Sequence, residues 1–136
     1  MGFTLRDHTA DVAVEATADT LGGVFAAVAD GMAAAMCDEI PDAGDRREIV
    51  VTAEGREALL FDYLDELIYE RDVRGVLPVD NAASVTETAE GWRVEATYRG
   101  VPLADVVARD LKAVTYSEMD LSERPEGWHA YVVFDV

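Results

Sequence analysis

Between Gly55 and Asp72, the run GREALLFDYLDELIYERD sets Leu60, Tyr63, Leu64, Leu67 and Ile68 at helical i, i+3, i+4, i+7, i+8 spacing. An amphipathic helix of this length must lay its apolar stripe on another element, so the rest of the chain has to supply that surface. Asp62, Glu66 and Glu70 follow at spacing four and are expected on the outer face, where like charges are mildly destabilising in water. A second helix is predicted from Leu21, capped by Asp19 or Thr20, with Leu21, Val24, Phe25, Val28, Met32 and Met36 in one stripe. Its alanines point to close packing, although Gly22, Gly23 and Gly31 each weaken it by up to about 1 kcal/mol.

The remaining apolar segments are too short or too regularly alternating for helices. Val12, Val14 and Ala16 alternate with Ala13, Glu15 and Thr17, which reads as a half-buried strand after a polar turn at Asp7 to Asp11. IVVTAE is a short strand after the loop DEIPDAGDRRE. GVLPVDNAASVTETAEGWRVEATYRG reads as two or three strands turning at Glu90-Gly91, and LADVVARD as either a short helix or a loop. LKAVTYSEM and GWHAYVVFDV are strands separated by SERPEG. No linker, repeat or low-complexity tract is evident, so residues 1–136 read as one domain. The expected class is α+β, with two helices on one side of a largely antiparallel sheet.

Acidic residues outnumber basic ones 28 to 11, and the formal net charge is −17. The acids are spread along the whole chain, and Lys112 is the only lysine. An even anionic coat repels itself and repels nucleic-acid phosphates in dilute salt, and the repulsion fades as molar salt shortens the Debye length to about 3 Å. Coat and lysine depletion together suggest a salt-loving cytoplasm, and direct nucleic-acid binding is disfavoured. No signal peptide is read at the N-terminus, and no apolar run is long enough to span a bilayer, so no membrane partner is expected. Cys37 stands alone at the end of an apolar helix and is expected to be a reduced core thiol.

Nucleotide loops, zinc spacings and a nucleophile elbow are absent. Three groups of residues could carry chemistry. Asp7, His8 and Asp11 lie in one polar turn and could converge on a ligand, or merely cap the turn. Asp135 and Val136 close the chain and could be simply solvated. Lys112 could be an ordinary surface lysine. A hard cation such as Ca²⁺ or Mg²⁺ takes several oxygen ligands, which carboxylates from the first two groups could supply if their strands are neighbours.

DHTADV near the start, LLFDYLDELIYE in the middle, KAVTY later and FDV at the end, in that order, resemble the archease family over essentially the whole chain. The resemblance implies an accessory protein of the RNA-splicing ligase that joins 2′,3′-cyclic-phosphate or 3′-phosphate RNA ends to 5′-hydroxyl ends. It implies help with formation of the ligase's GMP–histidine intermediate and with its multiple turnover, GTP and Mn²⁺ belonging to the ligase. It further implies an α+β fold in which one strand–helix–strand–strand module is inserted into a related one. A divalent cation, calcium, would be held by Asp11, Asp135 and the Val136 carbonyl, with Asp7, His8 and Lys112 supporting the site or meeting the partner. Binding to the ligase would be transient, and the protein would not itself be an enzyme. The sequence departs from the family's usual pattern at LADVVARD, whose only basic residue is Arg109, and at Gly22-Gly23. Two other readings stand beside this one: a metal-dependent hydrolase using Asp11 or Asp135, and an RNA-binding or chaperone module.

Overall fold

The computed structural model describes residues 2–8 and 11–136, without the side chains of residues 6–8. Its first helix, α1 (Leu21–Met36), starts where expected: Thr20 is the N-cap, and its Oγ1 accepts the Gly23 N–H at 3.0 Å. Val24, Phe25, Val28, Met32 and Met36 are buried, but so are Ala26, Ala27, Ala29 and Ala33, so burial extends beyond the predicted stripe. Two glycines explain how the helix fits among its neighbours. A Cβ on Gly22 would strike the Ala83 carbonyl, and one on Gly31 would strike Val14 and Phe3. At 100° per residue these positions lie on opposite sides of the helix, and each presses on a different sheet. Cys37 follows as the C-cap, buried and with a free thiol.

Those sheets are both antiparallel. One runs β1 (Gly2–His8), β2 (Asp11–Ala18), β7 (Gly127–Asp135), β6 (Ala113–Arg124) in spatial order; the other runs β3 (Asp45–Ala53), β5 (Gly91–Pro102), β4 (Val76–Thr88). The second helix, α2 (Arg56–Arg74), lies between β3 and β4 in sequence. The expected α+β class with two helices on antiparallel strands is therefore observed, although the strands divide into two sheets.

The division exposes a repeat that no residue pattern announces. β3–α2–β4–β5 forms a sheet ordered first, third, second strand, and β2–α1–β6–β7 forms another in the same order. The former is inserted between α1 and β6 of the latter, as the resemblance implied. Corresponding corners match in detail. Gly91 (φ 146°) and Gly127 (φ 133°) open the third strands in a conformation that side chains rarely adopt. A Cβ at either would strike the carbonyl of Ala53 or Ala18 at the end of the first strand. The next residues are Trp92 and Trp128, and the Arg56 guanidinium lies 5.5 and 5.3 Å from their rings, tying the two corners together.

The sequence reading needs four local corrections. β3 begins at Asp45, inside the predicted loop: Asp45 to Glu48 are all exposed, so the strand's start carries no apolar alternation. The β4–β5 hairpin turns at Ala89-Glu90, one residue early, with Thr88 opposite Gly91. Lys112 lies just before β6 rather than inside it, after a 3-10 turn at Leu103–Asp105 and an extended segment. Glu70 is buried, not on the outer face of α2: its Oε1 accepts the Tyr98 hydroxyl at 2.7 Å and Arg74 Nε at 2.9 Å. Its partners meet the condition for burying a carboxylate.

Candidate functional site

Pairing register, not proximity in sequence, builds the site. Asp11 opens β2 and Asp135 closes β7, and the two are direct partners across the antiparallel pair. Asp135 also faces Ala113, the first residue of β6, and its carbonyl accepts the Lys112 N–H at 2.8 Å. On the other side His8 closes β1 opposite Asp11, and Asp7 lies opposite Val12. One end of the four-stranded sheet thus gathers Asp7, His8, Asp11, Lys112 and Asp135, with Val136 following. Asp7, His8 and Asp11, expected in a polar turn, all belong to strands; residues 9 and 10 and the side chains of Asp7 and His8 lie outside the described residues.

Directly opposed residues of an antiparallel pair have Cα atoms about 4.5–5.5 Å apart and side chains on the same face. Asp11 and Asp135 therefore present two carboxylates together. Asp11 is half-buried, while Asp135, Val136 and Lys112 are exposed. The backbone entering Lys112 is held firmly. Arg71, buried in α2, donates through Nη1 to the Leu111 carbonyl at 2.7 Å. Arg109 donates its backbone N–H to Met36 at 2.6 Å, and its guanidinium donates to the Ala35 carbonyl and Asp38. These bonds hold down the LADVVARD segment; the hydrogen bond and charge of Arg109 also keep the Asp38 carboxyl below its ordinary value. The Lys112 ammonium makes no ion pair with a described residue, Asp11 included.

The inner module supplies an instructive contrast. Ala18 faces Trp128 and Ala53 faces Trp92; seven positions along each pair of strands, Asp11 faces Asp135 in one sheet and Arg46 faces Arg99 in the other. Like charges placed directly opposite each other repel. In the inner sheet Asp80, in the β4 bulge at φ 48°, answers Arg46 at 2.5 Å, Arg46 also donates to Thr97, and Arg99 donates to the Pro41 and Ala43 carbonyls. The outer sheet carries the opposite sign at the equivalent place. Two carboxylates and a neighbouring carbonyl are all-oxygen donors, the chemistry a hard cation prefers. Among the described residues no three Asp, Glu, His or Cys side chains converge in a way that could hold a metal, and the Asp7 and His8 side chains at this end are not among them.

A second polar cluster lies farther along the same sheet and was not foreseen. His129 bridges Asp120 Oδ2 through Nδ1 at 2.7 Å and Glu15 Oε2 through Nε2 at 2.9 Å, joining β6, β7 and β2. Ser122 also donates to Asp120. The three residues are scattered over the chain, so only strand pairing reveals them.

Residues 3–136 match the archease protein family. The protein archease of Thermococcus gammatolerans is 33% identical over 135 residues, covering 96% of this chain and 95% of its own. The solution structure of protein 1598 of Methanobacterium thermoautotrophicum superposes with a TM-score of 0.86, at 29% identity and 99% coverage of both chains. The crystal structure of an archease from Thermotoga maritima, described as a possible chaperone, matches at TM-score 0.63 and 20% identity, covering 96% of this chain and 94% of its own.

Proposed function

The chain belongs to the archease family, and from that premise we propose that it is a non-catalytic activator of an RNA-splicing ligase. In this reading it promotes guanylylation of the ligase and its repeated turnover, acting transiently in a saline cytoplasm, while GTP and Mn²⁺ remain with the ligase. The observation that carries the reading is the direct facing of Asp11 and Asp135 beside Lys112 at one sheet end.

Asp11, Asp135 and the Val136 carbonyl would hold a divalent cation, calcium, with Asp7 and His8 adjoining. The ion would neutralise the facing carboxylates, as Asp80 answers Arg46 in the inner module. Lys112 would add a compact positive charge beside the acidic pair, and an arginine's planar fork does not reproduce that geometry. Together these residues would present a rigid polar tip to the mouth of the ligase's active site.

A ligation assay with the ligase and GTP tests the assignment. The protein should accelerate ligase guanylylation and form no product alone, and Asp11→Ala and Asp135→Ala should fold yet lose most of the stimulation. Full stimulation by both variants would refute the site. Full stimulation by Lys112→Arg would remove that lysine from it. Hydrolysis of RNA or nucleotide by the protein alone, or tight salt-sensitive RNA binding, would replace the reading with one of its two rivals.

A further inference from the structure

α2 buries Leu59, Leu60, Tyr63, Leu64, Leu67 and Ile68, which leaves its opposite face outward. That face is not the plain charged surface expected of a solvated helix. Tyr69 (56% exposed) and Val73 (60%) lie one turn apart on it. At its N-terminal end Phe61 stacks on Tyr116 of β6, with ring centroids 4.2 Å apart and planes within 10°, and Tyr116 remains 55% exposed. Asp62, Asp65 and Asp72 are exposed between and beside these groups, and Glu66 is half-buried among them. Partial burial and the neighbouring Glu70 and Asp65 charges raise the Glu66 pKa, a sign of crowded negative charge. Asp72 is bonded to Arg71, whereas Asp62, Asp65 and Glu66 form no ion pair among the described residues.

We propose that this face of α2, with Tyr116, docks a basic surface of the partner ligase; the inference rests on the activator reading above. Exposed tyrosines are enriched in protein-binding surfaces, Val73 extends their apolar contact, and the acids form a charged rim that selects a cationic partner. The same acids repel RNA phosphates, anionic lipid and a second copy of this −17 chain. The face also continues from the candidate site. Tyr116 is four residues beyond Lys112, about 13 Å of extended strand, so a partner engaging the Asp11–Asp135 end is brought alongside α2. The ridge from Asp62 to Val73 adds about 17 Å of contact length.

Binding of the purified ligase to the full chain provides the test, using Tyr69→Ser/Val73→Ser and Asp62→Arg/Asp65→Arg, all at exposed positions, with folding checked by circular dichroism. Each double variant should weaken the Kd by about tenfold or more, while maximal stimulation at saturating protein stays unchanged because the acidic site is intact. The loss from charge reversal should shrink in molar salt, and the loss from the apolar change should persist. If the wild type binds the ligase and both variants bind equally well, the docking face is wrong and the activator reading survives. If the wild type neither binds nor stimulates the ligase, the activator reading falls and takes this face with it. A loss confined to RNA binding, or to self-association in sedimentation, would show that the occupant is wrong.

Discussion

Replacing Asp135 by asparagine tests the electrostatics of the facing carboxylates without changing side-chain shape. For charges on the order of 5 Å apart, Coulomb repulsion is about 1 kcal/mol at the dielectric of water and about 3 kcal/mol at an effective value near 20. Asp135 is exposed and Asp11 half-buried, which places the cost near the lower figure. Without divalent ions and in low salt, Asp135→Asn should therefore be more stable than wild type by about 1 kcal/mol, a rise of about 3–4 °C in Tm for a domain of this size. The advantage should fade in molar salt as screening removes the repulsion. If the pair holds calcium as proposed, the order should reverse: at a concentration a hundredfold above Kd the ion would stabilise wild type by about 2.7 kcal/mol, and the variant should lose most of that. Thermal unfolding followed by circular dichroism, with calcium or with a chelator, reads both effects. A variant less stable than wild type in the chelator would refute the repulsion argument, and a wild-type Tm unmoved by calcium would refute the cation site.

Two further perturbations probe the scaffold. Gly22→Ala forces a methyl group into the Ala83 carbonyl where α1 meets β4; unfolding in denaturant should show a loss of about 1–3 kcal/mol, and unchanged stability would mean that the helix can shift away from the sheet. The fully buried Tyr63 hydroxyl has no partner among the described residues, and burial, with a smaller effect of the Asp30 charge, raises its pKa well above 10.0. The raised native pKa means that its share of stability is complete below the unfolded value near 10 and is lost above it, at up to about 1.4 kcal/mol per pH unit. Tyr63→Phe should be nearly neutral at pH 7 and flatten the alkaline decline; an unchanged decline would show that the hydroxyl ionises freely in the native state.

Both helices were legible because their apolar spacing is dictated by what they bury, and the Thr20 cap and the LKAVTY and WHAYVV strands were legible for similar local reasons. β3 was cut short because Asp45 to Glu48 lie on an exposed edge with nothing to bury. Glu70 was misplaced because a carboxylate at helical spacing looks solvated until Tyr98, a residue of another strand, proves to be bonded to it. The duplication came from the family resemblance and not from residue patterns, because matching corners need only a permissive glycine and a tryptophan, while the candidate-site positions carry opposite charges, Asp11 and Asp135 against Arg46 and Arg99. The candidate residues could be named from family motifs, but their meeting depends on β2–β7 register, which no local pattern contains. The aromatic ridge on α2 was half visible: of the three acids expected on the outer face Asp62 is exposed, Glu66 half-buried and Glu70 buried, and only Tyr116, arriving from β6, makes the ridge a continuous patch.

Insertion of one module inside the other also has a kinetic consequence. β3, α2, β4 and β5 occupy one unbroken stretch, so their sheet closes through short loops. β2 and β7 must instead find each other across nearly the whole chain. Loop-closure entropy therefore favours early assembly of the inner module, whose formation shortens the effective loop that the outer strands must close. The Asp11–Asp135 pairing is then among the last registers to lock. Formation of the acidic tip is accordingly expected to follow assembly of the inner module rather than precede it.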